Sequence, residues 1–347
     1  MSLTRTKRSQ IQDGIVKIIG ELPVKARLDR KLISEQYGVS LQTIAKYLKS
    51  MEKSGRILVH GKGREQYFTL PSKINKIRYS LSNLDEDTIW RKDIKPILIE
   101  FDENTIRKIA YIFNEMTNNA IEHSEGKTLN ISYCINEYSS SFIIKDDGVG
   151  IFNKVSKALN LSDTRFAILE LSKGKFTTEP NSHTGEGIFF SSKISDFFCI
   201  TSGGLEFITG NDKHEFIQNA DNEDIMGTEV MFQVINSSRI TIKDVFEKYS
   251  ERPDGYGFIK TIVPVKLLEY GEDVPTFVSR SQAKRLLARV ERFQIIMLDF
   301  TGIDSIGQGF ADEIFRVFVN EHPNVQMLYC NCNEDVERMI KHVMINN

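Results

Sequence analysis

Apolar positions along the first seventy residues recur at helical spacing and then give way to short extended runs. Ile11, Ile15, Ile18 and Ile19 share one face of a helix predicted over 10–20. A second short helix is predicted over 28–37, stopped by Gly38. Ser40 is a capping residue type, and behind it Ile44, Leu48 and Met51 mark the inner face of a third helix reaching to about residue 54. Residues 56–60 and 66–70 are strand-like and flank the turn Gly61-Lys62-Gly63. The stretch 71–93 is polar and mixed, and is expected to be a linker with a short helix, Trp90 packing where it joins the next domain. Beyond it, 142–151 is a β-type run, 188–194 a helix, and 197–201, 206–210, 215–218 and 228–234 the strands of an antiparallel-rich sheet. After a second expected linker over 237–253, strand-like runs at 258–265, 294–300 and 325–329 alternate with helical runs at 279–291, 307–319 and 334–342. That alternation predicts a small α/β domain. The expected organisation is multi-domain α/β with domains over 1–70, 94–236 and 254–347.

A length of 347 residues suits two or three domains, each with sequence enough for a core. No apolar run of about 18 residues occurs, and the first residues lack an apolar leader core, so no membrane partner is expected. Cys134, Cys199, Cys330 and Cys332 form no CxxC pair. They are expected as reduced structural thiols of a cytoplasmic protein rather than metal ligands.

The net charge of −2 conceals an asymmetry. Residues 1–70 hold 14 Lys and Arg against 6 Asp and Glu, a net of +8 that leaves −10 for the rest. A basic module on an acidic body points to a polyanion, nucleic acid before membrane. Three helices followed by a hairpin make a winged helix-turn-helix. The run Val39-Ser40, Thr43-Ile44, Tyr47-Leu48, Met51, with Gly55 and Ile57 after it, resembles the DNA-binding modules of GntR-type bacterial regulators. The resemblance implies that the third helix enters the major groove and the wing follows the backbone. Gln42, Thr43 and Lys46 are then the candidates for base edges, and Lys49, Lys53, Lys62 and Arg64 for phosphates. A winged helix used only for protein contacts is the alternative. A homodimer is the expectation for a regulator reading two half-sites.

Candidate chemistry begins at 114–124, NEMTNNAIEHS, where Glu115 precedes Asn119 by four residues. On a helix both then share a face, and a carboxylate with an amide can position a water and a hard cation such as Mg²⁺. Downstream come Asp146-Asp147-Gly148-Val149-Gly150, then Thr184-Gly185-Glu186-Gly187 opening a helical run, then Met226-Gly227-Thr228-Glu229-Val230. Glycines there let backbone N–H groups approach phosphate oxygens. In order and spacing these blocks resemble the GHKL (Bergerat-fold) ATP-binding domain of histidine kinases, gyrase-type ATPases and anti-sigma serine kinases, over roughly residues 85–235. Glu115, Asn119 and Ala120 match its E-x-x-x-N-A box; Asp146, Gly148 and Gly150 match D-x-G-x-G; Gly185 and Gly187 match the second glycine box in part. Phe189 stands where a further glycine is common. Gly227, Thr228 and Val230 match G-T-x-V.

The resemblance implies an α/β sandwich with a mixed sheet, ATP and Mg²⁺ as cofactors, Glu115 as general base and Asn119 as Mg²⁺ ligand. It further implies that Asp146 accepts from the adenine amine, that Gly148 and Gly150 form the turn beneath the base, and that 152–183 is the lid. Of Lys173 and Lys175, Lys175 is the candidate for reaching the γ-phosphate, against an exposed lysine pair. His123 is expected as a structural histidine, with an approach to the phosphates as the alternative, and Asn118 and Glu122 as surface residues.

The segment from Ile296 through Asp299, Thr301 and Gly302 to Asp304-Ser305 resembles the central motif of STAS domains, the anti-sigma-factor antagonists. That implies Ser305 as a phosphoacceptor of a GHKL kinase, although Ile306 replaces the usual second serine and Gly307-Gln308-Gly309 is atypical. The alternative for Ser305 is an unmodified helix cap. Two functions follow: an ATP-responsive DNA-binding regulator, or an anti-sigma-type serine/threonine kinase acting on Ser305 or on a protein partner. A histidine autokinase and a gyrase-like motor fit less well, for lack of a phosphoacceptor hairpin and of a strand-passage domain.

Overall fold

The computed structural model describes residues 5–23, 25–176, 185–210, 214–221, 225–250, 257–271 and 277–345. The chain is mixed α/β and divides into two compact units.

The first unit comprises 1–77, 132–142 and 233–238. It opens with α1 (Arg5–Glu21), α2 (Arg30–Tyr37) and α3 (Leu41–Lys53), then the antiparallel pair β1 (Leu58–His60) and β2 (Tyr67–Thr69). Asp29 caps α2, its Oδ1 accepting from the N–H groups of Lys31 and Leu32 at 2.9 and 3.0 Å. Gly38, at φ 60°, ends that helix in the left-handed conformation. Ser40 caps α3 by accepting from the Thr43 N–H at 3.2 Å. Ile11, Ile15, Ile33, Ile44, Leu48, Met51, Ile57 and Phe68 form the core, with Tyr138 packed among them. Each such side chain, fully buried, contributes roughly 1.5–3 kcal/mol. Arg56 ties the hairpin to Asp13 of α1 and to Glu137, donating to Glu137 through Nε at 2.9 Å.

The second unit comprises 78–131, 143–232 and 239–347. In chain order it draws on β3 (Lys73–Ser80), α4 (Glu86–Ile89), α5 (Glu103–Asn118), β4 (Thr128–Ile135), β5 (Ser139–Asp146), α6 (Ile151–Leu159), α7 (Arg165–Lys173) and α8 (Gly187–Ile194). Then follow β6 (Phe197–Ser202), β7 (Leu205–Thr209), β8 (Glu215–Asn219), β9 (Thr228–Ile235) and α9 (Ile242–Lys248). A seven-stranded sheet runs in the order β3-β4-β5-β9-β6-β7-β8. The β6–β7 and β7–β8 pairs are antiparallel, with Cys199 opposite Ile208 and Phe207 opposite Ile217. Along β9 every second residue is buried, the period of a strand with one face on a core. α5 packs on α8, and Trp90 is buried against Phe113 of α5 with ring centres 5.9 Å apart.

The same unit holds β10 (Lys260–Pro264), α10 (Arg280–Leu287), β11 (Ile295–Asp299), α11 (Gln308–Asp312), α12 (Val319–Glu321), β12 (Gln326–Cys330) and α13 (Glu334–Ile345). β10, β11 and β12 form a parallel sheet with β11 central, Ile262 opposite Met297 and Met297 opposite Leu328. α10 carries a complete capping box between Ser279 and Gln282. Among the described residues no helix is long and apolar enough to cross a membrane.

Two expected linkers carry regular structure. The stretch 71–93 contains β3 as the outer strand of the large sheet, beside β4. Most of its side chains are exposed, so it lacks the alternating apolar positions by which a strand is read. The stretch 237–253 contains α9, opened by a capping box in which Thr241 and Asp244 exchange bonds. Of the expected lid, α6 and α7 are helical, and residues 177–183 lie outside the described residues.

Candidate functional site

α5 begins at an Asp102 cap, whose Oδ1 accepts from the Thr105 N–H at 3.0 Å and whose Oδ2 accepts from the Thr105 hydroxyl at 2.6 Å. Sixteen residues later the helix widens into a π-turn, Asn119–His123. Such turns re-aim side chains and recur at functional sites. Here the widening falls on the stretch that holds Asn119 and Ala120.

β5 delivers two adjacent carboxylates with different surroundings. Asp147 accepts from the N–H groups of Thr128 and Lys127 at 2.8 and 2.7 Å and from the Thr128 hydroxyl at 2.8 Å. The Thr128 N–H is the largest cause that brings its pKa down to about 2. Asp146 is 5% exposed, and burial pushes its pKa above the ordinary carboxylate value against the pull of two backbone donors. Those donors, the N–H groups of Gly148 at 2.9 Å and Thr228 at 3.2 Å, both use Oδ1. Its Oδ2 accepts from no described residue. Thr228 also takes the Ile151 N–H onto its hydroxyl at 3.0 Å, fixing the start of α6 to the start of β9.

The glycines sit where backbone or carboxylate comes close. A Cβ on Gly148 would lie 1.9 Å from the Ser124 carbonyl oxygen, and one on Gly187 would lie 2.1 Å from Oε2 of Glu115. Thus the start of α8 and the carboxylate of α5 are in contact only because residue 187 has no side chain.

These elements enclose a cavity of about 350 Å³. Glu115, Asn119, Asp146, Gly150, Gly185, Gly187 and Thr228, drawn from four separated blocks, all line it. Met116, Ala120, Ile144, Val155, Ile200 and Val230 give it an apolar wall. The volume and the few convergent polar groups are those of a small-ligand site. Asn118, Glu122 and His123 also line it, with Glu122 exposed at the surface as expected. Lys154, which sequence reasoning did not single out, lines it too, donating to the His123 carbonyl at 2.7 Å and to Glu125 at 3.1 Å. Its signal was only its place four residues beyond Gly150, in the first turn of a helix.

Two predicted residues stand apart from the lining. Gly148 supports the turn from behind, and Lys175 turns away. The Lys175 ammonium lies 4.7 Å from the centre of the Phe293 ring and 5.4 Å from that of Phe258, and donates to the Arg292 carbonyl at 3.4 Å. Burial lowers its pKa. Burial likewise raises the pKa values of Glu186 and of Tyr111, whose phenol feels Glu115 and Glu186 as well. Phe189, in the position where glycine is common, is 1% exposed and packs edge-on to Tyr249 and tilted against Phe258.

Among the described residues no three His, Cys, Asp or Glu side chains gather as a metal cluster. Glu115 and Asn119 supply oxygen donors of the kind Mg²⁺ takes, and such an ion draws its remaining ligands from phosphate and water. The donor set therefore fits a cation that arrives with a phosphorylated ligand.

In the first unit, Gln42, Lys46, Lys49 and Lys53 are exposed along α3, and Lys62 and Arg64 are exposed in the β1–β2 connection. Thr43 is half-buried in the first turn of α3, its hydroxyl 3.0 Å from that of Ser40. Arg27, Arg30, Lys31 and Gln66 line a cleft beside them, with Arg30 donating to Gln66 at 2.6 Å. Sequence reasoning passed over these three cations because none falls on the third helix or the wing turn.

Ser305 is exposed. It is not a helix cap: α11 starts at Gln308 behind Gly307, which makes no side-chain cap bond. The adjoining Asp299 is satisfied by the N–H and hydroxyl of Thr301 at 2.9 and 2.6 Å and by Asn331 at 3.0 Å.

No curated protein matches the chain. A family model described as a STAS-like domain of unknown function (DUF4325) matches residues 282–337, so the segment from α10 into α13 is similar to STAS-like domains.

Proposed function

We propose that this protein is a nucleotide-responsive regulator, in which Mg-ATP held in the cavity controls a DNA-binding winged helix and the STAS-like segment. The observation that carries the reading is the convergence of Glu115, Asn119, Asp146, Gly185, Gly187 and Thr228, from four separated sequence blocks, on one cavity of about 350 Å³.

In this reading Asp146 receives the exocyclic amine of adenine on Oδ2, the oxygen that no described residue uses. The apolar wall of Ile144, Val155 and Val230 covers the base, and phosphate oxygens meet backbone N–H groups at the start of α8, where Gly185 and Gly187 line the cavity. Mg²⁺, when bound, neutralises phosphate charge and is held by Asn119. Glu115 orients an attacking water or hydroxyl. Exposure of Gln42, Lys46, Lys49, Lys62 and Arg64 along one helix and one turn, in a basic module, supports the nucleic-acid partner.

A second reading, a serine/threonine kinase of the anti-sigma type, is favoured by one observation: Ser305 is exposed and committed to no helix cap. The two differ in the fate of the γ-phosphate. Incubating the full chain with γ-labelled ATP and Mg²⁺ separates them. The regulator reading expects little or slow release of free phosphate and no stable label on the protein. Label that disappears in both Glu115→Ala and Ser305→Ala overturns it in favour of the kinase.

A further inference from the structure

Two walls of the cavity are held from behind by the segment after residue 257. Leu171 and Phe176 face into the cavity, while the residues between them face away. Lys173 is 2% exposed, and its ammonium donates to Glu170 Oε1 at 2.7 Å, to the Ala288 carbonyl at 2.9 Å and to the Arg285 carbonyl at 3.3 Å. Those carbonyls lie at the C-terminal end of α10, where the Arg285 carbonyl also accepts the Ala288 N–H at 3.3 Å. A cation from α7 thus caps α10, the end of that helix where positive charge is favoured. Glu170 Oε2 accepts from Arg289 Nε at 2.8 Å, and the Thr261 hydroxyl donates to the Lys173 carbonyl at 2.8 Å. One turn on, Arg292 Nη1 donates to the Lys175 carbonyl at 3.1 Å. The second wall begins at Gly187, and two residues later Phe189 meets Phe258 with ring centres 4.7 Å apart.

Arg285, Ala288, Arg289 and Arg292 belong to the STAS-like match. A buried ion cluster is a poor device for stability alone, since well-packed apolar residues of the same volume often hold as firmly. It does fix one register, and it fails abruptly when one member leaves.

We propose that the STAS-like segment regulates the cavity in cis. The Glu170–Lys173–Arg289 latch holds the end of α7 in the position that accepts nucleotide, and loss of the latch lowers nucleotide affinity. The inference rests on the nucleotide reading of the cavity. By linkage, nucleotide in the cavity tightens the latch by the same factor that the latch strengthens nucleotide binding.

Hydrogen exchange on the full chain, with and without a non-hydrolysable ATP analogue and Mg²⁺, tests this together with titration of the analogue into Arg289→Ala and Arg289→Lys. The expected result is exchange slowed about five-fold or more across 285–293 on binding, an Arg289→Ala variant that binds about five-fold or more weakly, and recovery of most of that loss in Arg289→Lys. Binding by the wild type with no change of exchange at 285–293 overturns the coupling and leaves the nucleotide reading standing. So does an Arg289→Ala chain that melts earlier but binds within about two-fold of wild type, the signature of a merely structural contact. No binding by the wild type overturns both.

Discussion

Asp146 and Asp147 are neighbours in sequence, and their surroundings drive their protonation in opposite directions. Asp147 sits on three donors, and its pKa falls from 3.8 to about 2. A carboxylate depressed on folding contributes stability that is present above its unfolded value and lost as pH falls through the folded one. The wild type should therefore lose stability between pH 3.8 and about 2, a loss that Asp147→Ala has already suffered at neutral pH. Thermal melts across that range should show a flatter acid limb in the variant and a lower melting temperature at pH 7 from the lost hydrogen bonds to Thr128 and Lys127. Asp146 has the opposite sign. Its raised pKa means that its contribution is present at low pH and withdrawn as pH rises through the folded value. A cost carried at working pH by a residue lining a cavity suggests a ligand rather than stability. Gly187 offers a second test at this scale. In Gly187→Ala the new methyl would meet the movable end of Glu115, so the fold should survive and the carboxylate be pushed aside. We expect a melting temperature near wild type with loss of phosphate release or transfer, whichever the wild type performs. A normal rate in that variant would remove Glu115 from the chemistry.

At the scale of elements, local signals were most legible where sequence and packing agree. Ser40, Gly38, Ile44, Leu48 and Met51 announce α3 and its neighbour directly, because cap, stop and inner face are all written in residue type. The spacing of Glu115 and Asn119 places them on one helix face, but nothing in it announces the π-turn that starts at Asn119 and carries Glu122 and His123, both of which line the cavity. β3 was invisible because an edge strand with polar side chains on both faces has the pattern of a linker. The place of Lys175 is illegible locally for a different reason. Its partners Phe258, Phe293 and Arg292 lie far along the chain, and no local pattern predicts a long-range cation–π contact. For α3 and the β1–β2 connection, the expectation is electrostatic. Replacing Lys49 or Lys62, the phosphate candidates of the helix and the turn, by alanine should weaken DNA binding and lower the salt slope of log affinity by about 1 each. Binding unchanged in slope and strength for both variants would return this helix to a role in protein contacts.

At the scale of the molecule, the four blocks around the cavity are spread from residue 115 to residue 230, and their convergence is what a single sequence pattern could only suggest. The proposed function requires that the cavity take ATP with Mg²⁺. Isothermal titration of a non-hydrolysable ATP analogue into the full chain, with and without Mg²⁺, tests it most directly when set beside Asp146→Asn and Asn119→Ala. One site per chain is expected, with a GTP analogue at least about ten-fold weaker, since a site built around a buried hydrogen-bonding group rejects a base that cannot pair with it. Heavy loss is expected in Asp146→Asn, and loss of the Mg²⁺ dependence in Asn119→Ala. An isotherm with no heat of binding for a correctly folded wild type, or equal binding by Asp146→Asn, would contradict the proposed function.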